Sequence, residues 1–430
     1  MLARRLALQI PFRQTARFTW TRPLTNMASP AAGLEPGQDT YVPRYIDIGI
    51  NLADPMFRGK YYGVQRHPDD LSGVIKRAME TGCTKMIITG SDFKSIQGGL
   101  EISEEYAGTI FTTAGIHPCT SSIFSLKPSR RSDDGSSTPC DPDPDAPIPE
   151  DQQPDAKKTS EVIGRLRDIV EKAIASGNGH LVALGEFGLD YDRLNCCNKT
   201  VQLHSFAEQL KFAASLEPQL PLFLHSRAAH NDFVRLLKEA FGENLENLQK
   251  GAVVHSFTGT AEEMEELMDL GLYIGINGCS FKTVENCKTV KEVRMDRIMI
   301  ETDGPWCEVR PSHEGYKYLI EKKDITDVIA DGIAAQDSES ATGTGTDTPS
   351  SINQPKKQKN QKKEPAIPER YRSVKKERWA EGAMVKGRNE PCSIDRIAKI
   401  VAGIKGITVE EVCEKAWQNT VKVFDVEKKN

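Results

Sequence analysis

Between residues 44 and 302, short apolar or β-branched runs alternate with longer stretches whose apolar positions return every third or fourth residue. A period of two marks a strand and a period near 3.6 a helix. Strands are predicted at 44–48, 85–89, 110–113, 181–185, 222–225, 252–255, 272–276 and 297–302. Helices are predicted at 70–80, 161–175, 201–216, 231–240, 261–270 and 284–293, with two more at 393–404 and 409–424 after the last strand. The interval 91–107 carries no clear period. Alternating βα units argue for a parallel sheet, and eight of them for an α/β (β/α)8 TIM barrel; a doubly wound sheet is the competing arrangement.

Three segments fall outside this pattern. Residues 1–34 hold Arg4, Arg5, Arg13, Arg17 and Arg22 and no acid before Glu35, a composition that suits a mitochondrial presequence. The expectation is mitochondrial targeting where that leader is used, and a cytoplasmic or nuclear location where synthesis starts at Met27. Residues 120–158 mix repeated Pro with acids, and 336–365 run from Ser, Thr and Gly into Lys356, Lys357, Lys359, Lys362 and Lys363. Neither has the apolar content to offset the entropy of ordering, and patterned chain resumes after both. The expected organisation is a leader over 1–40 and one barrel domain over 41–430, interrupted by disordered insertions at 120–158 and 336–365.

Composition narrows the functions. The 430 residues carry 56 basic and 61 acidic side chains, a net charge of -5, which argues against a general cationic sleeve for nucleic acid but leaves room for a local site. No apolar run reaches the roughly 18 residues of a membrane span, so no membrane partner is expected. The 10 cysteines are scattered with no CxxC, and read as reduced thiols rather than a disulfide scaffold or zinc site.

The informative polar residues stand at predicted strand ends. Asp47 and Asn51 end or follow the first strand, His117 the third, Glu186 the fourth, His225 the fifth, His255 the sixth and Asp303 the eighth. In a barrel all such ends face one mouth, whose interior is otherwise packed with branched side chains. Carboxylates and imidazoles without thiolates suit Mg, Mn or Zn, and divalent-metal hydrolysis is the natural chemistry. Glu186 is the best bridge between two ions, because Gly185 and Gly188 let backbone approach on either side.

Six segments occur in order: YIDIGIN (45–51), GIHP (115–118), LGEFGLDYDR (184–193), PLFLHSR (221–227), VVHSFTG (253–259) and ETDGPW (301–306), followed by RNEP (388–391). Together they resemble the TatD family of metal-dependent deoxyribonucleases, barrel enzymes of the wider amidohydrolase-like group, over residues 44–424. The resemblance implies Glu186 as the bridging glutamate, His225 and His255 as two ligands of one ion, Asp303 as the aspartate at the other, and His117 as a histidine that meets substrate or aids proton transfer. It implies one or two divalent ions, Mg first and Mn or Zn as alternatives, with DNA as substrate, RNA as a second, and no obligate protein partner. Asp47 and Asn51 complete the expected metal set. Arg193 and Arg227 are expected phosphate clamps, and Trp306 could stack on a base.

Three positions depart from most relatives. Gly49 and Asn51 replace the two histidines of an HxH arrangement, and Cys119 stands where many relatives have His. The Gly/Asn form resembles the family's eukaryotic branch. The expected activity is hydrolysis of phosphodiester bonds with release of nucleotides from a DNA 3′ end. The alternatives are hydrolysis of another ester or amide, such as an aminoacyl-tRNA, and a DNA-binding protein of attenuated activity.

Overall fold

Eight parallel strands lie in sequence order in the computed structural model: β1 (Tyr45–Ile50), β2 (Cys83–Ile88), β3 (Ile110–Ala114), β4 (Leu181–Asp190), β5 (Leu222–Arg227), β6 (Ala252–Val254), β7 (Tyr273–Ile276) and β8 (Ile298–Ile300). The structure describes residues 41–127, 146–320 and 370–427. The leader over 1–40, the body of the acidic insertion and the insertion at 336–365 lie outside the described residues.

A strand order that never reverses excludes the doubly wound sheet. Closure comes just beyond β8, where Asp303 N donates to Gly49 O at 2.8 Å and Asn51 N to Gly304 O at 2.9 Å, joining the last strand to the first at the end that carries the polar residues. The strands are nearly all buried, as expected when helices cover a parallel sheet. Ile46, Ile48, Phe111, Phe223, Val253 and Met299 pack into one cluster with Trp417 and Phe424 of the final helix.

The helices are α1 (Leu71–Thr81), α2 (Phe93–Glu105), α3 (Ala156–Ser176), α4 (Lys199–Ser215), α5 (His230–Phe241), α6 (Ala261–Asp269), α7 (Val284–Glu292), α8 (Ile394–Lys405) and α9 (Val409–Phe424). Their ends follow local chemistry. Thr260 and Glu263 form a reciprocal cap on α6, as do Thr408 and Glu411 on α9, while Gly82 and Gly406 end α1 and α8 in the left-handed region. Among the described residues no helix is long and apolar enough to cross a membrane.

Two expectations need correction. The interval 91–107 contains α2, whose buried face includes Gly99 and Ser103 instead of a full apolar stripe. A Cβ at Gly99 would lie 2.3 Å from Thr112 Oγ1, so the helix sits too close to β3 for a larger side chain. The acidic insertion is also shorter than 120–158: Pro118–Phe124 is a 3-10 helix, α3 starts at Ala156, and Asn198 Nδ2 donates to Pro149 O and Gln152 O at 2.9 Å each.

Candidate metal centre at the barrel mouth

β4 runs ten residues, past the 181–185 expected, and the extension delivers the central carboxylate. Gly185 and Gly188 have φ of 138° and 152°, and a Cβ there would lie 2.0 Å from Phe223 O and 1.9 Å from His225 O. Glycine alone lets β4 press this closely on β5. Pairing skips a residue between Gly185 and Phe187, so Glu186 leaves the ladder and its N–H donates to Gly90 O at 2.8 Å. Glu186 is thus inside the strand, not after it.

Three imidazoles converge on Glu186. Its Oε1 lies 2.6 Å from His255 Nε2, 2.9 Å from His225 Nδ1 and 3.2 Å from His117 Nε2. The far side of each ring decides what the near side can do. His255 Nδ1 is 3.5 Å from Glu301 Oε2, and His225 Nε2 is 3.3 Å from Asp190 Oδ2. The hydrogen bond to Asp190 holds a proton on His225 Nε2 and leaves Nδ1, facing Glu186, as an electron-pair donor for a cation, while Glu301 stands behind His255 at ion-pair distance and favours a proton on Nδ1 through its charge alone. His117 is wired the opposite way. Its Nδ1 accepts from Cys119 N at 3.0 Å, so in the neutral ring the proton sits on Nε2 and points at Glu186. It is placed as a hydrogen-bond donor rather than a ligand, although His117, Glu186 and His225 bring ligand-type atoms within 4.8 Å of one another.

Asp303 follows β8 with φ of 52°. Its Oδ1 accepts from Asn51 Nδ2 at 3.2 Å, and its Oδ2 lies 3.2 Å from Cys307 Sγ and 3.5 Å from Ser256 Oγ. Asn51 Nδ2 also donates to Gly304 O at 3.1 Å, and its Oδ1 takes the Thr89 hydroxyl at 2.5 Å. With two acceptors at one end of the amide, Asn51 presents N–H to the site and orients Asp303; it does not offer the oxygen a metal would need.

Asp47 is not brought to the mouth. Its Oδ1 accepts from Thr302 N at 3.0 Å and Gly49 N at 3.2 Å, and its Oδ2 meets Thr302 Oγ1 at 2.5 Å. Fully buried beneath the site, it locks β1 to the end of β8, and burial pushes its carboxyl up to about 8 against the hydrogen bonds from Thr302. The expected metal role for Asp47 is therefore corrected to a structural one.

Glu186, His117, His225, His255, Asp303 and Asn51 line one cleft of about 1140 Å³, together with Arg193, Arg227 and Trp306. Phe223 floors the site, its ring centroid 4.7 Å from that of His255. Arg193 Nη1 bonds Asp190 Oδ2 at 3.1 Å and so acts first on the carboxylate behind His225. Arg227 makes no ion pair among the described residues.

Sequence reasoning named neither Glu301 nor Asp190 as site residues, though both sit inside the quoted segments. Glu301 Oε1 accepts from Ser256 N at 2.5 Å and Asn277 Nδ2 at 3.3 Å. A Cβ at Gly49 would stand 2.3 Å from Glu301 Oε2. The space beside Gly49 is filled by this carboxylate, so an imidazole cannot occupy it without expelling Glu301.

Charge explains what the cluster lacks. Burial opposes ionisation of Glu186, but His255 and His117 outweigh it and hold its carboxyl well below the usual range. Burial likewise opposes charge on His255, yet Glu186 and Glu301 raise it well above its ordinary value. Asp303 is pushed up to about 7 by burial, with Glu301 and Glu186 adding to the shift against His255. Carboxylates outnumber cations here. His255 Nδ1 and Glu301 Oε2 are both buried without a hydrogen bond among the described residues. Glu186, His225, His255 and Asp303 offer a nitrogen and oxygen donor set that would suit a divalent ion, which would supply the missing charge.

A family model described as TatD related DNase matches residues 46–425. The deoxyribonuclease Tat-D of Schizosaccharomyces pombe is 37% identical over 381 residues, covering 89% of this chain and 96% of that protein. The 3'-5' ssDNA/RNA exonuclease TatD of Erwinia tasmaniensis is 31% identical over 263 residues, covering 60% and 79%. Among solved structures, an uncharacterized amidohydrolase from Saccharomyces cerevisiae superposes with a TM-score of 0.65 at 28% identity, covering 89% of this chain and 100% of that one. A family match spanning nearly all of the described barrel, on a site whose donors call for a cation, places this chain in the TatD-related DNase family of metal-dependent hydrolases.

Proposed function

We propose that the chain is a divalent-metal-dependent deoxyribonuclease that hydrolyses phosphodiester bonds and removes nucleotides from the 3′ end of a DNA strand, with RNA as a second substrate. The observation that carries the reading is the arrangement of His225 Nδ1 and His255 Nε2 about Glu186 Oε1, each ring backed by a carboxylate. Glu186, His225, His255 and Asp303 would hold the metal. Bound there, a divalent ion supplies Lewis acidity to a phosphodiester and makes water a better nucleophile at neutral pH. The paired imidazoles favour Mn or Zn at their side of Glu186, whereas the Asp303 side, without imidazole, suits Mg. Asn51 turning its amide nitrogen inward favours one tightly held ion over two.

The chain's own groups do the rest. His117 Nε2–H points into the site, within reach of a phosphate oxygen or leaving hydroxyl, and its tautomer is fixed by Cys119 N. Arg227 presents a guanidinium to the cleft for non-bridging phosphate oxygens, and Trp306 offers a ring against which a terminal base can stack. Support for the 3′ direction comes from the relatives named for it.

The test is metal-dependent cleavage of single-stranded DNA carrying a label at its 5′ end. A ladder shortening from the 3′ end, abolished by chelator and restored by Mg, Mn or Zn, agrees with the proposal. Cleavage that persists in chelator contradicts it. Stoichiometric DNA binding with no product in saturating Mg or Mn would instead favour the attenuated-binding reading.

A further inference from the structure

Nine cysteines fall among the described residues, and none is in a disulfide. Cys279 and Cys307 are the pair that lines the cleft. Their sulfurs are 2.9 Å apart, inside van der Waals contact and roughly 0.9 Å from the length of a disulfide bond. Burial raises the thiols of Cys83, Cys197 and Cys392, and the contact with Cys279 together with burial raises that of Cys307, whereas the contact with Cys307 and the nearby Lys282 lower that of Cys279.

The pairing is built into the backbone. Cys279 is the second residue of the 3-10 helix Gly278–Phe281, whose start is fixed by Asn277 Oδ1 accepting from Cys279 N at 2.9 Å. A Cβ at Gly278 would fall 1.8 Å from Cys307 O, so glycine at 278 is what lets the two thiol-bearing segments touch. Cys307 itself has φ of 53°, an uncommon conformation for a residue with a side chain, held by the turn that also carries Asp303. Cys307 is partly exposed, and its Sγ donates to Asp303 Oδ2 at 3.2 Å.

We infer that Cys279 and Cys307 form an oxidation site at the mouth, a dithiol that two-electron oxidants of the peroxide class convert reversibly to a disulfide, re-aiming Asp303. The sulfur of Cys279, which lines the cleft with Lys282 and Arg227, attacks a peroxide oxygen, breaking the O–O bond to give a sulfenic acid and one water. The sulfur of Cys307 then attacks the Cys279 sulfur; the S–O bond breaks, and the departing hydroxide leaves with the Cys307 proton as a second water. Two electrons and two thiol hydrogens pass to the peroxide, and a dithiol reductant returns them. In the disulfide Cys307 has no S–H to give Asp303, and the sulfurs draw together, pulling on the turn that aims this carboxylate. Cys279 is also joined to the site through Asn277, whose Nδ2 donates to Ser256 Oγ at 2.9 Å and to Glu301 Oε1 at 3.3 Å.

The consequence for activity rests on the proposed nuclease reading; the chemistry does not. The full chain is treated with stoichiometric hydrogen peroxide, free thiols are alkylated, and peptides are mapped by mass spectrometry without reduction. The expected result is a peptide joining 279 to 307, lighter by two hydrogens, that disappears with dithiothreitol. The same peptide is expected to be absent from Cys279→Ser. On labelled DNA, oxidised wild type is expected to cleave at least about 10-fold more slowly than its own reduced form, as when support for a metal ligand is lost, while Cys279→Ser shows the same rate before and after peroxide. If both thiols remain alkylatable after peroxide, or if either is found joined to another cysteine instead, the inference is overturned. A 279–307 peptide formed in a chain that never cleaves DNA would uphold the oxidation site and count against the nuclease.

Discussion

Replacing Glu186 by Gln keeps its shape and removes the charge on which three imidazoles converge. Metal affinity and DNA cleavage are expected to fall by about 100-fold or more, measured by metal titration of the rate, with circular dichroism confirming the fold. Glu301 is the sharper case because no sequence argument singled it out. Glu301→Gln should weaken metal binding by roughly 10–100-fold through the orientation of His255 while leaving KM for DNA nearly unchanged; a change confined to KM would contradict a positioning role. Asp47 makes a prediction of opposite kind. Its folded carboxyl keeps a proton up to about 8 while the unfolded one releases it near 3.8, so rising pH across that window favours unfolding. Asp47→Asn preserves the bonds to Thr302 without this cost, and should raise Tm relative to wild type at pH 8 and leave it nearly unchanged at pH 4. Glu186, His225, His255 and Asp303 were legible because a strand end followed by a ligand-type residue has few other uses in a barrel. Asp47 looked the same, yet only three dimensions reveal that Thr302 takes both its oxygens. Glu301 and Asp190 stayed hidden because a residue that supports a ligand carries no spacing rule of its own.

The strands and most helices were legible from period alone, and α2 was not. Its contact with β3 is made by Gly99 and Ser103, so the buried face of the helix does not read as apolar. The β4 extension was missed for a related reason: glycines that interrupt an apolar run look like a terminus, whereas here they let two strands meet. The segment 388–391 was quoted as a motif without a role, and the structure supplies one. Arg388 Nη2 reaches Asp70 Oδ2 at 2.5 Å and Glu390 Oε1 at 2.8 Å, and Arg77 joins the same two carboxylates at 2.9 and 2.7 Å. This buried network ties the start of α1 to the segment entering α8. Removing one member of such a network leaves uncompensated charge, so Arg388→Ala is expected to destabilise by about 3–5 kcal/mol, measured by urea unfolding. An effect below about 1 kcal/mol would show that the network is not a structural tie.

At the scale of the whole molecule, a net charge of -5 coexists with Arg227, Lys282 and Arg310 around the cleft. Binding of a nucleic acid should therefore be local and screened by salt, and Arg227→Ala should both raise KM for DNA and flatten its dependence on salt concentration. The Arg-rich leader lies outside the described residues, and mitochondrial import through it remains a proposal; a reporter fused to residues 1–34 that stays diffuse would overturn it. The nuclease reading requires that side chains drawn from four strands or strand ends make one cation site at the mouth of the closed barrel. Anomalous diffraction from crystals grown with Mn tests it most directly. The account predicts a peak about 2.2 Å from His255 Nε2 and from a carboxylate oxygen of Glu186, with His225 and Asp303 completing the shell. A protein that cleaves DNA in the same Mn concentration but shows no density between these four residues would contradict it.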